Sequence, residues 1–341
     1  MRLLDHITQH ATPLLVATET PGTPPRLVRL PGALEFAPQI SSCPLRYVLG
    51  DDLTAACAEL SLADGDRLSS CLDLIHLPGT SFWIEWNDVA RARAVAGHLG
   101  GGPPSTGPHL TKVGALVTAS ADGRRGTLRT FWLDSDGLPC LAPLETLLDL
   151  DCHWPPVGPL PSVLDGGFAR VRAADDPGLD ELLDCMRFRY DARWAQYYRE
   201  AQLDAPALDQ LLRSSLASVA RDMPLVLAFA LLLGAHNATR ARRVDCQRLN
   251  RRRQQRNKRP LLEHLEVSCR IDLDPADVRT AGVGSGRRAP RLHHVRGHLV
   301  RRADEIYWRK THVRGRLTLG QVRSRTVKLS FGAARATPLN A

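Results

Sequence analysis

The spacing of apolar residues changes character along this chain, and each change marks an expected element. Between residues 72 and 133 the period is two: LDLIHLP and SFWIEW are short runs parted by Pro-Gly, and VGALVTAS and TLRTFWLD flank a turn containing Asp122-Gly123. Runs of this kind read as strands, and the last two as a β-hairpin. A helix is expected over 89–99, stopped by GGGPP. After the Pro-rich connector HWPPVGPLPSVLDGG the period lengthens. Leu179, Leu183, Met186, Tyr190, Trp194 and Tyr197 follow at steps of three and four, the stripe of one amphipathic helix. Asp204 stands where it would cap a second helix with Leu208, Leu211, Leu212, Leu216 and Val219 inside. A third, over 223–236, is apolar on nearly every side and belongs at the centre of a helical bundle. Residues 1–70 carry TPGTPP and SSCP turns and no period that assigns them.

From residue 237 the pattern turns polar. NATRARRVDCQRLNRRRQQRNKRP contains no Gly, no Pro before its last residue, and only Val244 and Leu249 as sizeable apolar side chains, so it reads as a polar helix. Leu265, Val267, Cys269, Ile271 and Leu273 then alternate with polar residues as a half-buried strand, and 274–290, with GVGSGRR, as a loop. Further strands are expected over 292–301, 306–313 and 326–331, the first turn falling at Ala303-Asp304-Glu305. There is no internal repeat. The fold class is α+β: a small sheet plus helical bundle in 1–236, followed by an Arg-rich helix and a small antiparallel β-sheet in 237–341.

Length and composition fit this division. With 341 residues and 43% hydrophobic content the chain can bury a sizeable core. The net charge of +9 is the sum of two unlike parts. Residues 239–341 hold 26 Lys and Arg against 8 Asp and Glu, net +18, and residues 1–238 hold 19 against 28, net −9. Of the 45 basic residues 41 are Arg, whose planar fork suits bidentate phosphate contacts. The eight cysteines form no CxxC pair, consistent with reduced thiols. The first residues lack a secretory apolar run, and the most apolar stretch, 224–235, is shorter than the roughly 20 residues that span a bilayer. A cytoplasmic protein without a membrane partner is expected.

The candidate chemistry lies in the basic part. On a continuous helix, Arg240, Arg243, Gln247 and Arg251 share one face over roughly 16 Å, and Arg252, Arg253, Arg256, Lys258 and Arg259 extend the charge. Between residues 239 and 262 only Asp245 is acidic, so an anion from elsewhere is called for: DNA or RNA, or the acidic first part of the same chain. In the strands, Arg296, His298, Trp308, Arg309, Lys310, His312 and Arg314 would add contacts to a nucleic acid. Of Tyr307 and Trp308, neighbours on a strand, one would enter the core and the other stack on a base. His294, His298 and His312 allow zinc binding or metal-free phosphodiester cleavage, but His-x3-His suits a metal on a helix, whereas on a strand it only puts two rings on one face. Contacts to phosphate or backbone are the plainer reading. No GxSxG, HExxH, Walker or dinucleotide motif is present, and no cofactor, metal ligand or catalytic residue is assigned; Glu85, Asp88 and His153 stand isolated in the first part.

LNRRRQQRNKRPLL (249–262), a following strand, PRLHHVRGHLVRR, IYWRKTHVRG and Gly320 resemble a group of bacteriophage and prophage proteins of unassigned activity. Those proteins show Asn-Arg-x-Arg-x-x-Arg-Gly-Lys-x-Pro-Leu, a short strand and a closing Arg-Gly-His…Trp…His module, and LPGTSFWIEW is similar to an earlier strand in them. Here Asn257 stands where they carry Gly. The resemblance implies a phage-encoded protein of the bacterial host cytoplasm. The leading expectation is therefore nucleic-acid binding through the basic C-terminal part, with a nuclease using the His cluster, or a non-catalytic virion or host-protein adaptor, as alternatives.

Overall fold

The computed structural model describes residues 2–9, 15–18, 26–29, 32–62, 68–99, 110–133, 137–154, 163–172, 177–200, 204–269, 291–295, 298–302, 305–309, 312–314 and 316–321. Strands β1 (Leu15–Thr18) and β2 (Arg26–Arg29) pair as an antiparallel hairpin of their own. Eight others build one mixed sheet: β3 (Leu45–Leu49), β4 (Ser81–Asn87), β5 (Lys112–Ala119), β6 (Arg125–Leu133), β7 (Pro139–Asp149), β8 (Met186–Tyr190), β9 (Thr239–Val244) and β10 (His264–Cys269). Their order is β8-β7-β6-β5-β4-β3-β10-β9, with β3 parallel to both neighbours and every other pair antiparallel. The helices are α1 (Leu3–Gln9), α2 (Ala37–Ser42), α3 (Asp51–Leu62), α4 (Asp88–Leu99), α5 (Pro177–Asp184), α6 (Ala192–Glu200), α7 (Ala205–Gly234) and α8 (Gln247–Gln254). This is an α/β fold.

The sheet is covered on both faces, which is why SFWIEW reads as almost continuously apolar. Phe82, Ile84 and Trp86 enter the larger core with Val113, Ala115 and Val117 of β5 and the apolar side of α7; Tyr47 meets Phe229 edge to face at 5.2 Å. Trp83 faces the other way, into a smaller cluster with Leu3, Leu4 and Ile7 of α1, Phe36, Ile40 and Phe131. Glu85 points to this side as well and is not isolated. Its carboxylate accepts the backbone N–H groups of Leu3 at 3.2 Å and Leu4 at 3.0 Å and the Trp83 indole N–H at 3.1 Å, so the sheet itself caps the first turn of α1. Burial pushes the Glu85 carboxyl up, against these donors and Lys112.

The expected β5–β6 hairpin forms, and Gly123 in its turn has φ +70 with Leu77 backbone so close that a Cβ there would meet its oxygen at 2.8 Å. Asp204 caps as expected, accepting from Ala207 N at 2.8 Å. Four local readings change. LDLIHLP is not a strand: Leu72–Leu74 is a single tight helical turn. The stripe over 179–197 is two helices with strand β8 between them. Met186 and Tyr190 satisfy a step of four and a period of two equally, and pairing with β7 decides for the strand. The second and third helices are one, α7, which runs through Pro224 because packing on both sides of the proline outweighs its missing N–H. At 30 residues α7 is long and apolar enough to span a bilayer, and its most apolar window is 78% buried within the fold. Fourth, the sheet continues past residue 236: six residues of the expected polar helix, Thr239–Val244, are β9, and the polar helix is only the eight residues of α8.

Beyond β10 the chain forms β11 (Arg291–Val295), β12 (His298–Arg302), β13 (Glu305–Arg309), β14 (His312–Arg314) and β15 (Arg316–Gln321). The pairs Arg302↔Glu305 to His298↔Arg309 and Val295↔His312 to His293↔Arg314 keep one register, so the described parts of the expected strands 292–301 and 306–313 pair antiparallel, β12 with β13 and β11 with β14. β15 adds to β11 in parallel. The expected loop 274–290 and strand 326–331, like 270–273, lie outside the described residues.

A buried ion pair fastens the helices to the sheet. Asp222 of α7, 2% exposed, takes the Trp132 indole N–H of β6 at 3.1 Å and lies 2.8 Å from Arg91 of α4, which also reaches Asp88 at 2.6 Å. Loss of solvent outweighs these partners and pushes the Asp222 carboxyl up to about 6. Protonation therefore favours the folded state. This contribution is full below about pH 4 and is lost as the pH rises to about 6. Relative to Asp222→Asn, which does not titrate, the wild-type protein should lose up to about 3 kcal/mol across that window, measured by urea denaturation at each pH.

Candidate nucleic-acid interface

The Arg-rich segment divides between a strand and a helix for reasons of burial and charge. A continuous helix over 239–251 would have no apolar face to bury. As edge strand β9, the same residues pair with β10 from Thr239↔Cys269 to Val244↔His264 and put guanidinium groups beside acids. Arg242 pairs with Glu266, directly opposite, and Arg243 reaches Glu263 at 2.7 Å. Arg2, ahead of α1, closes on the same Glu266 at 3.2 Å, and these cations hold the Glu266 carboxyl below the usual range. Arg240, Arg243, Gln247 and Arg251 therefore do not share a helical face.

Asp245 starts α8 by accepting from Gln247 N at 2.7 Å. The helix ends in a Schellman motif: Lys258 N donates to Arg253 O at 2.9 Å and Asn257 N to Gln254 O at 3.0 Å, with Asn257 left-handed at φ +50. Glycine is the easiest residue there, and asparagine the usual substitute. The chain then folds back and is locked. Asn250 gives its amide N–H to Leu261 O at 2.9 Å and takes Leu261 N–H at 2.7 Å. Arg253 bonds Arg259 O at 2.9 Å and the Gln9 side chain at 2.7 Å, while Arg259 bonds Thr8 O at 2.9 Å, placing two cations at the C-terminal end of α1. The Asn-Arg-x-Arg stretch is thus in part a folding device, with Asn250 and Arg253 turned inward.

The helical period places Arg248, Arg251, Arg252 and Gln255 on the side opposite Asn250 and Arg253. Arg240, Arg248, Arg251, Arg252, Arg256 and Lys258 are exposed, and among the described residues none has a carboxylate partner. Leu249, 49% exposed, stands on the same helix. Arg248 was not singled out from sequence, although any helix through 248–252 sets it at i, i+3 and i+4 with Arg251 and Arg252. Among the described residues, Asp73–Arg301 is the one ion pair between an acid of 1–238 and a base of 239–341. Several acids of the first part are engaged within it: Glu145 lies opposite both Arg129 and Arg189 as a ladder across β6, β7 and β8, and Asp191 binds Arg129 and Arg193. This ladder has no signal in the sequence, since it exists only through strand pairing.

The C-terminal hairpin is anchored to the body. Ile306 is buried, its carbonyl accepts His236 N–H at 3.1 Å, and Tyr307 stacks on the His236 ring at 5.3 Å while remaining 37% exposed. Ile306 is thus a core residue of this strand and Tyr307 is exposed, while the side chain of Trp308, the other candidate for core entry, lies outside the described residues. Arg301 reaches Asp73 at 2.7 Å and Ser70 O at 2.6 Å. The register sets His298 opposite Arg309, Trp308 opposite Leu299 and Arg314 opposite His293. His312 faces Val295 across the hairpin, one position out of phase with His294 and His298. Arg296 and Lys310 lie outside the described residues. Among the described residues no group of three or more His, Cys, Asp and Glu side chains is arranged to hold a metal ion.

No family model, curated protein or solved structure matches the chain.

The turn after α8 yields opposite expectations for two asparagines. Asn257→Gly should stabilise the protein by about 0.5–1 kcal/mol by relieving the left-handed backbone. Asn250→Ala should cost about 2 kcal/mol, because the Leu261 backbone loses both partners. Urea titration of the full chain, followed by fluorescence, measures both.

Proposed function

We propose that the protein binds nucleic acid through backbone phosphates, using the exposed guanidinium groups of β9, α8 and the turn that follows. The observation that carries this reading is the sorting of the basic residues. Arg242, Arg243, Arg253 and Arg259 are engaged in folding, whereas Arg240, Arg248, Arg251, Arg252, Arg256 and Lys258 are exposed with no carboxylate partner among the described residues. Such a concentration of unneutralised charge attracts a polyanion and releases its counterions on binding. The acidic part of the same chain is a weaker rival: among the described residues Asp73–Arg301 is the one ion pair it makes with the basic part, while Asp222, Glu145 and Asp191 pair with its own arginines. The hairpin residues His298, Trp308, Arg309, His312 and Arg314, with Arg296 and Lys310 near them in sequence, extend the contact in this proposal. The resemblance to phage and prophage proteins is in keeping with this reading and, as a proposal, with action in the cytoplasm of a bacterial host cell.

Binding to a labelled duplex should weaken steeply as salt rises. Joint Arg248→Ala, Arg251→Ala and Arg252→Ala should lower the slope of log affinity against log salt by up to about 2.7, at roughly 0.9 per duplex phosphate contact. Arg253 is left intact so that the fold is not disturbed. Parallel titrations with single-stranded DNA and with RNA identify the polymer. Binding to none of them, or an unchanged slope in the triple variant, would reject this reading and leave an acidic protein as the partner for the face.

A further inference from the structure

Cys152 and Cys185 are 33 residues apart in sequence, yet their Sγ atoms stand 3.1 Å from each other. The contact is built by the backbone. Asp149, the last residue of β7, donates its N–H to Cys185 O at 2.9 Å and accepts from Cys152 N at 3.0 Å, so both cysteines are held against one residue. The turn that carries Cys152 is gripped from two sides. Arg124 bonds Asp151 at 2.7 Å, and Arg187, fixed by the carbonyls of Asp184 and Met186, lies over the Trp154 ring at 5.3 Å. Cys152 is exposed and sits at φ +57, a conformation uncommon for a residue with a Cβ, whereas Cys185 is fully buried. One thiol is open to solvent and the other waits behind it.

We propose that Cys152 and Cys185 form an oxidation site, at which a small-molecule disulfide of the glutathione class converts the two thiols into an intramolecular disulfide. The Cys152 thiolate attacks one sulfur of the reagent, its S–S bond breaks, and the first reagent thiol leaves with the proton that Cys152 gave up. Cys185 then attacks Sγ of Cys152, the mixed disulfide breaks, and the second reagent thiol leaves with the Cys185 proton. The protein loses two electrons and two protons, and the reagent disulfide becomes two thiols. Burial, then Cys152 itself and the neighbouring Asp184 and Glu181, push the Cys185 thiol up, so its attack is favoured at alkaline pH. The new bond ties the turn after β7 to the residue that opens edge strand β8.

The test uses the full chain incubated with oxidised glutathione, followed by thiol titration in denaturant and peptide mapping without reductant. The wild-type protein should lose two titratable thiols, yield a Cys152–Cys185 cross-linked peptide, and gain on the order of 5 °C in Tm that reductant reverses. Cys185→Ala should stop at glutathione attached to Cys152, and Cys152→Ser, a change at an exposed position, should lose neither thiol of the pair. The proposal is overturned if Cys152→Ser still loses two thiols at the wild-type rate. It is equally overturned if the wild-type map shows glutathione on Cys152, or a bond between two chains, with no Cys152–Cys185 link.

Discussion

The parallel pairing of β10 with β3 is the contact on which the arrangement of the basic part depends. Leu265, Glu266 and Val267 lie against Tyr47, Val48 and Leu49, more than two hundred residues away in sequence. Closing so long a loop costs entropy that three ladder positions do not recover alone. Further bonds accumulate at the same seam: Gly50 N donates to Val267 O at 2.8 Å, Cys269 N to Asp52 Oδ2 at 2.9 Å, and Arg2 binds Glu266. Val267 is wholly buried in the larger core. Only with β10 in place does β9 have a partner, and only then is α8 set beside the C-terminal end of α1.

This seam explains why so basic a segment folds at all. Edge strands with charged side chains resist pairing with other chains, and β9, with three arginines in six residues, is protected in that way. The cost of assembling like charges is lowered where Glu263 and Glu266 of the β10 segment meet Arg242 and Arg243, and where the C-terminal carbonyls of α1 meet Arg253 and Arg259. Among the described residues of 239–260, what those acids and carbonyls leave unneutralised is a definite set, Arg240, Arg248, Arg251, Arg252, Arg256 and Lys258. The sheet thus selects which arginines are structural and which remain available, a distinction that net charge alone does not contain.

Local signals were legible wherever one period applied alone. The β5–β6 hairpin, the Asp204 cap and the apolar α7 follow from alternation, a capping residue and a continuous apolar run. Met186 and Tyr190 fit both periods, so the decision passed to a partner strand that the local sequence does not display. Arg240 to Arg243 offered good helix formers and no apolar face; the pairing that makes them a strand comes from His264 to Cys269, and the carboxylates that support it from Glu263 and Glu266. In the candidate site the motif containing Asn250, Arg253 and Asn257 was visible, but its residues could be sorted only when Asn250 was seen to hold Leu261 and Asn257 to occupy the left-handed cap.

The shortening of the helix alters the kind of contact the basic face can make. A continuous helix over 240–251 would have laid guanidinium groups along about 16 Å, a rail able to follow a groove. α8 presents Arg248, Arg251 and Arg252 over about 6 Å, little more than the reach of two successive phosphates on one strand. The remaining cations approach from different directions: Arg240 from a sheet edge, Arg256 and Lys258 from the turn at the far end of the helix. In the proposed function, groups so distributed would meet a short length of phosphate backbone rather than follow a groove. Phosphate contacts of this kind would fix position and carry charge, not base sequence. In the proposed function any base contacts fall to the C-terminal strands, which Ile306, Tyr307 and Arg301 fix to the body.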